Sequence, residues 1–97
     1  EKIFIGGRDK SMHAINRKTG EGLWTFKTRG QVDSSPVLCD GKVLFGSIDG
    51  NFYSINANTG EEVWNYDVGA GIIASPAVAD SMVFIGDEKG NLFAFGE

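Results

Sequence analysis

Apolar residues in this chain come in short runs of successive positions, parted by polar turns. Val43-Leu44-Phe45 leads into Ser47-Ile48-Asp49-Gly50-Asn51, and that turn leads into Phe52-Tyr53-Ser54-Ile55. Runs of this kind, too short for helices, predict strands buried on both faces. The next segment, Glu61-Glu62-Val63-Trp64-Asn65-Tyr66, alternates polar with apolar, the pattern of an outer strand wetted on one side. Upstream, Ser35-Pro36-Val37-Leu38-Cys39 predicts one more strand, with its proline at the start where no ladder donor is lost. The intervening residues carry turn chemistry. Asp40-Gly41 suits a two-residue hairpin with positive φ. In Asn56-Ala57-Asn58-Thr59-Gly60, Asn opens a type I turn through its side chain and Gly supplies the left-handed residue that ends it.

The whole pattern recurs every 40 residues without a gap. Lys2-Ile3-Phe4-Ile5-Gly6 falls on Lys42-Val43-Leu44-Phe45-Gly46 and on Met82-Val83-Phe84-Ile85-Gly86. Thr19-Gly20-Glu21 falls on Thr59-Gly60-Glu61, Trp24 on Trp64, Ser35-Pro36 on Ser75-Pro76, and Asp40 on Asp80. A period of this size marks units that bury their hydrophobic faces only by stacking on one another. Four antiparallel strands of graded burial, repeated, predict an all-β chain built of β-propeller blades. With the strands of a blade lettered A to D, residues 1–33 read as B-C-D of one blade. Residues 34–73 read as a complete blade, and residues 74–97 as A-B-C of the next. That is about two and a half blades of an incomplete ring, and a closed ring takes roughly four to eight. The chain is therefore expected to belong to a longer parent. Its apolar end strands are expected to pack on the remaining blades or on other copies of itself.

Composition narrows the function classes. The chain has 97 residues and a net charge of −4, and Arg17-Lys18 is its only adjacent basic pair. No basic stripe exists, which argues against nucleic acid as a partner. No apolar run approaches the ~20 residues of a membrane span, so direct insertion is not expected. The single cysteine, Cys39, excludes an intramolecular disulfide and reads as a small hydrophobe in an apolar run. The 14 glycines sit at matching offsets and read as turn and bulge positions.

Two strings, Asn16-x-x-Thr19-Gly20-Glu21-x-x-Trp24 and Asn56-x-x-Thr59-Gly60-Glu61-x-x-Trp64, resemble the tryptophan-docking motif of the pyrroloquinoline-quinone (PQQ) enzyme repeat. The resemblance extends to the strand pair before each motif and covers essentially the whole chain. Asn16 and Asn56 stand where that family usually has Asp, and Asn starts the same turn. Membership implies that Trp24 and Trp64 lock neighbouring blades together. It also implies a periplasmic or extracellular compartment, which the residues alone leave open. Such repeats occur in PQQ-dependent dehydrogenases, in scaffolds of outer-membrane barrel assembly and in extracytoplasmic sensor domains of membrane kinases. Fold alone does not choose among them.

The chemistry visible in the residues favours binding over catalysis. A quinoprotein active site of this family implies a catalytic carboxylate, a calcium cage and, in several members, a pair of adjacent cysteines, which this chain lacks. Calcium-loop spacing is absent as well. His13 has no second histidine for a metal pair and reads as a core or interblade residue. Ser34-Ser35-Pro36 and Ala74-Ser75-Pro76 lack a nucleophile elbow. No catalytic, cofactor-binding or metal residue is assigned. The rim of B–C turns and D–A connections supplies the binding candidates: Arg8, Asp9, Arg29, Asp33, Asp49, Asp87 and Glu88, with Gln31 and Lys89 beside them. The expected function is a non-catalytic scaffold for protein partners, with no cofactor in this chain. The alternative is part of a PQQ-dependent dehydrogenase, where PQQ and calcium would bind in other blades, and the second alternative is a sensor domain.

Overall fold

The computed structural model describes residues 2–72 and 75–96. They form ten strands: β1 (Lys2–Gly6), β2 (Ser11–Asn16), β3 (Gly22–Lys27), β4 (Val37–Cys39), β5 (Lys42–Gly46), β6 (Asn51–Asn56), β7 (Glu62–Asp67), β8 (Ala77–Ala79), β9 (Met82–Gly86) and β10 (Leu92–Gly96). All pairings are antiparallel between chain neighbours. They give sheets ordered β1-β2-β3, β4-β5-β6-β7 and β8-β9-β10. The architecture is all-β, as the alternation of runs and turns predicts. The expected seam between the second and third repeats, at 73/74, lies outside the described residues, as does Ala74.

The turns follow from their residues. Asp40 (φ 57°) and Gly41 (φ 76°) make the left-handed pair of a type I′ hairpin, and Asp80 (φ 51°) and Ser81 (φ 64°) repeat it. At the C–D turns, Asn16 Oδ1 accepts the Lys18 and Thr19 backbone N–H groups at 2.8 and 3.1 Å. Asn56 Oδ1 accepts those of Asn58 and Thr59 at 2.8 and 3.0 Å. Gly20 and Gly60 then take φ of 75° and 78°. A register shift follows on the facing strand, between Ala14 and Ile15 and between Ser54 and Ile55. Asn thus replaces Asp with no loss of the turn.

The core lies between sheets. One cluster, between the first and second, holds Met12, Val32, Val43, Phe45, Tyr53, Ile55 and Ala57, with Phe4, Trp24 and Phe26 against it. The other, between the second and third, holds Leu44, Phe52, Ile72, Val83 and Ile85, flanked by Cys39, Val68, Phe93 and Phe95. β5 and β6 feed both clusters with alternate residues, which is why their sequences are apolar at successive positions. Val32 and Ile72, from the D–A connections, cap the ends of β1 and β5. A Cβ on Gly6 would lie 2.5 Å from Val32 Cγ1, so the close approach requires glycine there.

β4 and β8 span three residues each and begin after their prolines. β7 departs from the expected one-sided wetting, because all six of its residues are exposed. Trp64 and Tyr66 do meet Phe95, at ring separations of 5.8 and 5.3 Å. The third sheet, however, has no fourth strand among the described residues to cover them.

Candidate functional site

The rim is built from backbone first. The Val32 N–H donates to the Gly7 carbonyl at 3.1 Å, and the Ile48 N–H donates to the Gln31 carbonyl at 3.0 Å. The next repeat follows suit: Ile72 N–H to the Ser47 carbonyl at 3.0 Å and Glu88 N–H to the Gly71 carbonyl at 2.9 Å. Each D–A connection is thereby stapled between the B–C turns of two successive sheets. Ser47, fully buried, adds its hydroxyl to the Gly30 carbonyl at 3.2 Å.

Asp49 is the best-connected of the candidate residues. Its Oδ2 accepts the Arg29 N–H at 3.0 Å and the Tyr53 hydroxyl at 2.8 Å, and its Oδ1 accepts the Asn51 N–H at 2.9 Å. Partial burial works against its charge, but these donors outweigh that and hold its carboxyl below the ordinary 3.8. Burial first, and the Asp49 carboxylate next, push the Tyr53 phenol upward, so it stays a donor. Asp49 therefore serves the rim as a clasp between sheets.

Asp9 and His13 occupy the same offsets as Asp49 and Tyr53. His13 Nε2 lies 2.8 Å from Asp9 Oδ2, and Nδ1 lies 3.3 Å from Thr25 Oγ1. The His13 side chain is 33% exposed, so it is no core residue in this structure. It lies on the face of the first sheet that no other sheet covers. Asp87 is turned inward on its own loop, where the Asn91 side-chain amide donates at 3.0 Å and the Lys89 and Asn91 N–H groups donate at 3.0 and 2.8 Å. The Asn91 amide leads these donors in lowering its carboxyl below the ordinary range. Arg8, Arg29, Asp33, Glu88 and Lys89 are exposed. The structure joins Arg29 to Asp49 through its backbone, and leaves the rest as separate surface groups. Among the described residues, no three His, Cys, Asp or Glu side chains gather as a metal site.

The docking motif acts where the repeat places it. The Trp24 indole N–H donates to the Ala57 carbonyl at 3.0 Å across the sheet interface. The ring lies 5.9 Å from Phe4, and a Cβ on Gly60 would sit 2.6 Å from its Cδ2. Thr19 and Thr59 each accept the N–H of the glutamate two residues on at 3.2 Å, and the Thr59 turn is the one beneath the Trp24 indole. Trp64, 37% exposed, faces a cavity of about 300 Å³ beside Leu44 and the buried Ser54.

A larger opening was not singled out by motif. Between β3 and β7 lies a groove of about 490 Å³, with Lys27 and Arg29 on one bank and Glu62 and Asp67 on the other. Phe26 and Tyr53 line its floor in an edge-on pair at 5.3 Å. The sequence does carry a signal for it: at equal offsets in the two repeats Lys27 gives way to Asp67, a change of sign, and Arg29 to the uncharged Gly69.

Known proteins bear on this geometry. The chain aligns over 97% of its length with BamB from Moraxella catarrhalis, at 26% identity and a TM-score of 0.87, and spans 30% of that chain. Quinohemoprotein alcohol dehydrogenase ADHIIG from Pseudomonas putida HK5 matches at 22% identity and a TM-score of 0.89, with 98% of this chain and 17% of that one covered. The computationally designed Ika4 protein matches at 16% identity and a TM-score of 0.84, over 98% of this chain and 59% of that one. The last two likenesses concern the fold alone. Curated protein sequences contain no match to the chain. The family model described as outer membrane protein assembly factor BamB matches residues 2–97, and the chain accordingly belongs to that PQQ-like β-propeller family.

Proposed function

We propose that this chain is a non-catalytic part of a larger propeller whose rim and outer grooves hold protein partners. The observation that carries this reading is the match of residues 2–97 to the assembly-factor family. The rim supports it. Its two best-bonded carboxylates, Asp49 and Asp87, spend their oxygens on loop and strand donors instead of offering them to a reacting group. The exposed charges that remain suit recognition. The remaining blades of the parent cover the apolar end faces, and an extracytoplasmic compartment follows from the same family reading.

The dehydrogenase alternative is separated by titrating the intact protein with PQQ and calcium. The scaffold reading expects no quinone absorbance shift and no dye-linked alcohol oxidation, together with specific cross-links from the rim to a protein partner. Quinone binding with turnover would overturn it. The sensor reading draws no support from the relatives found.

A further inference from the structure

We infer that the groove between β3 and β7 is a docking site for an extended peptide segment of mixed charge. This deepens the scaffold reading and rests on it.

The groove lies between two outer strands that are both present, so its walls are complete. Its volume, about 490 Å³, falls within the range of ligand sites. Opposite charges face each other across it without closing. Among the described residues the only ion pair is His13 with Asp9, so Lys27 and Arg29 are not neutralised by Glu62 or Asp67. The charges are also sorted along its length. Asp67 pairs with Asn51 in register, and Asp49 holds the Arg29 backbone. At this end the Asp49 oxygens are already taken up by Arg29, Asn51 and Tyr53, which leaves the exposed Lys27 and Arg29 facing Asp67. At the other end Glu62 accepts the Asn65 amide at 2.7 Å and faces no cation among the described residues. An acidic peptide residue at the Arg29 end and a basic one at the Glu62 end complement this field.

The arrangement is peculiar to this interface. At the offsets of Lys27 and Arg29, the second repeat has Asp67 and Gly69. The blade fold is indifferent to these residues, since both versions form the same strand and turn. Blade packing therefore does not account for the opposed charges.

Length and shape select a strand-like ligand. From Glu62 to Asp67, β7 spans about 17 Å, the reach of five or six extended residues. β3 and β7 are each the last strand of their sheet, so among the described residues their outward N–H and C=O groups have no strand partner. An added strand takes such groups up. The Phe26 ring on the floor accepts an apolar side chain. Asp49 ties the Arg29 backbone and the Tyr53 hydroxyl together beneath the head of the groove, which orders that end before any ligand arrives.

The test uses the intact protein and a fluorescein-labelled six-residue peptide, acidic at one end, lysine at the other, with alternating valine and threonine between. Fluorescence anisotropy at low salt should show saturable binding. Lys27→Glu combined with Arg29→Glu should weaken it about tenfold or more. A peptide with lysine in place of its acidic residue should recover affinity for that variant. Asn65→Trp, which fills the groove and keeps its net charge while removing the amide donor to Glu62, should also block binding. Both cations are exposed, so an unchanged Tm is expected for the charge variant. Equal affinity for the wild type and both variants overturns the groove assignment. If the intact protein captures a protein partner that ignores these substitutions, the groove falls while the scaffold reading stands. Quinone-dependent turnover without any protein partner removes the scaffold reading instead.

Discussion

Asp49→Ala is expected to destabilise the fold by about 2–4 kcal/mol, although Asp49 sits on the rim where binding residues are sought. The substitution strips an acceptor from three donors at once: Arg29 N–H, Asn51 N–H and the Tyr53 hydroxyl. The two backbone groups regain water at modest cost. Tyr53 is only 6% exposed, and a buried donor left without a partner costs roughly 1–3 kcal/mol by itself. Losing the link between the Arg29 connection and the second sheet adds the remainder. Tyr53→Phe removes the donor together with its bond, and the carboxylate keeps its two N–H partners, so about 1 kcal/mol is expected. The double variant should then cost less than the sum by about 1 kcal/mol, the signature of a direct contact. Urea unfolding followed by tryptophan fluorescence measures all three. The acid side offers a second readout. Because the folded carboxyl lies below 3.8, its contribution is full above the unfolded value and is lost as pH falls through the folded one. The wild type should therefore lose Tm more steeply than Asp49→Ala below about pH 4. Strict additivity of the two substitutions, or a Tm of Asp49→Ala equal to wild type, would refute the clasp.

Four further outcomes follow from the packing. Gly46→Ala should cost about 1–3 kcal/mol in urea unfolding, because the new methyl lands on the Ile72 side chain. Ser54→Ala should raise stability by about 1 kcal/mol and lift Tm, since the buried Ser54 hydroxyl has no hydrogen-bond partner among the described residues and the first repeat has Ala14 there. Ser81→Gly should stabilise by about 0.5–1 kcal/mol in the same assay, by relieving a left-handed residue at φ 64°. Trp24→Phe should cost about 1–2 kcal/mol through the lost bond to the Ala57 carbonyl, and Trp64→Phe less, because Trp64 is more open to solvent.

Most of the fold was legible because its causes are local. Val43-Leu44-Phe45 states its two-sided burial outright, and Asn56 with Gly60 specifies a turn within five residues. The exposure of β7 was not legible, since it depends on which strand stands beside it and not on Glu62–Asp67 themselves. The rim candidates were read as binding residues on B–C turns and D–A connections, yet nothing near Asp49 announces that one of its partners is the backbone of Arg29, twenty residues earlier. His13 was read as a core or interblade residue; its bonds to Asp9 and Thr25 were not legible, because neither partner is singled out by the repeat. The groove was least legible. Lys27 and Glu62 belong to strands that look ordinary alone, and only stacking brings their charges face to face.

The double duty of β5 and β6 governs how this chain comes apart. Either flanking sheet can detach by uncovering one cluster, but the central pair cannot open without losing both. Amide exchange should therefore be slowest in Val43–Phe45 and Phe52–Ile55, and faster in β1 and β10 at the flanks. Folding is expected in the opposite order, with the β5–β6 hairpin as the first lasting structure and the outer sheets adding to a wall already in place.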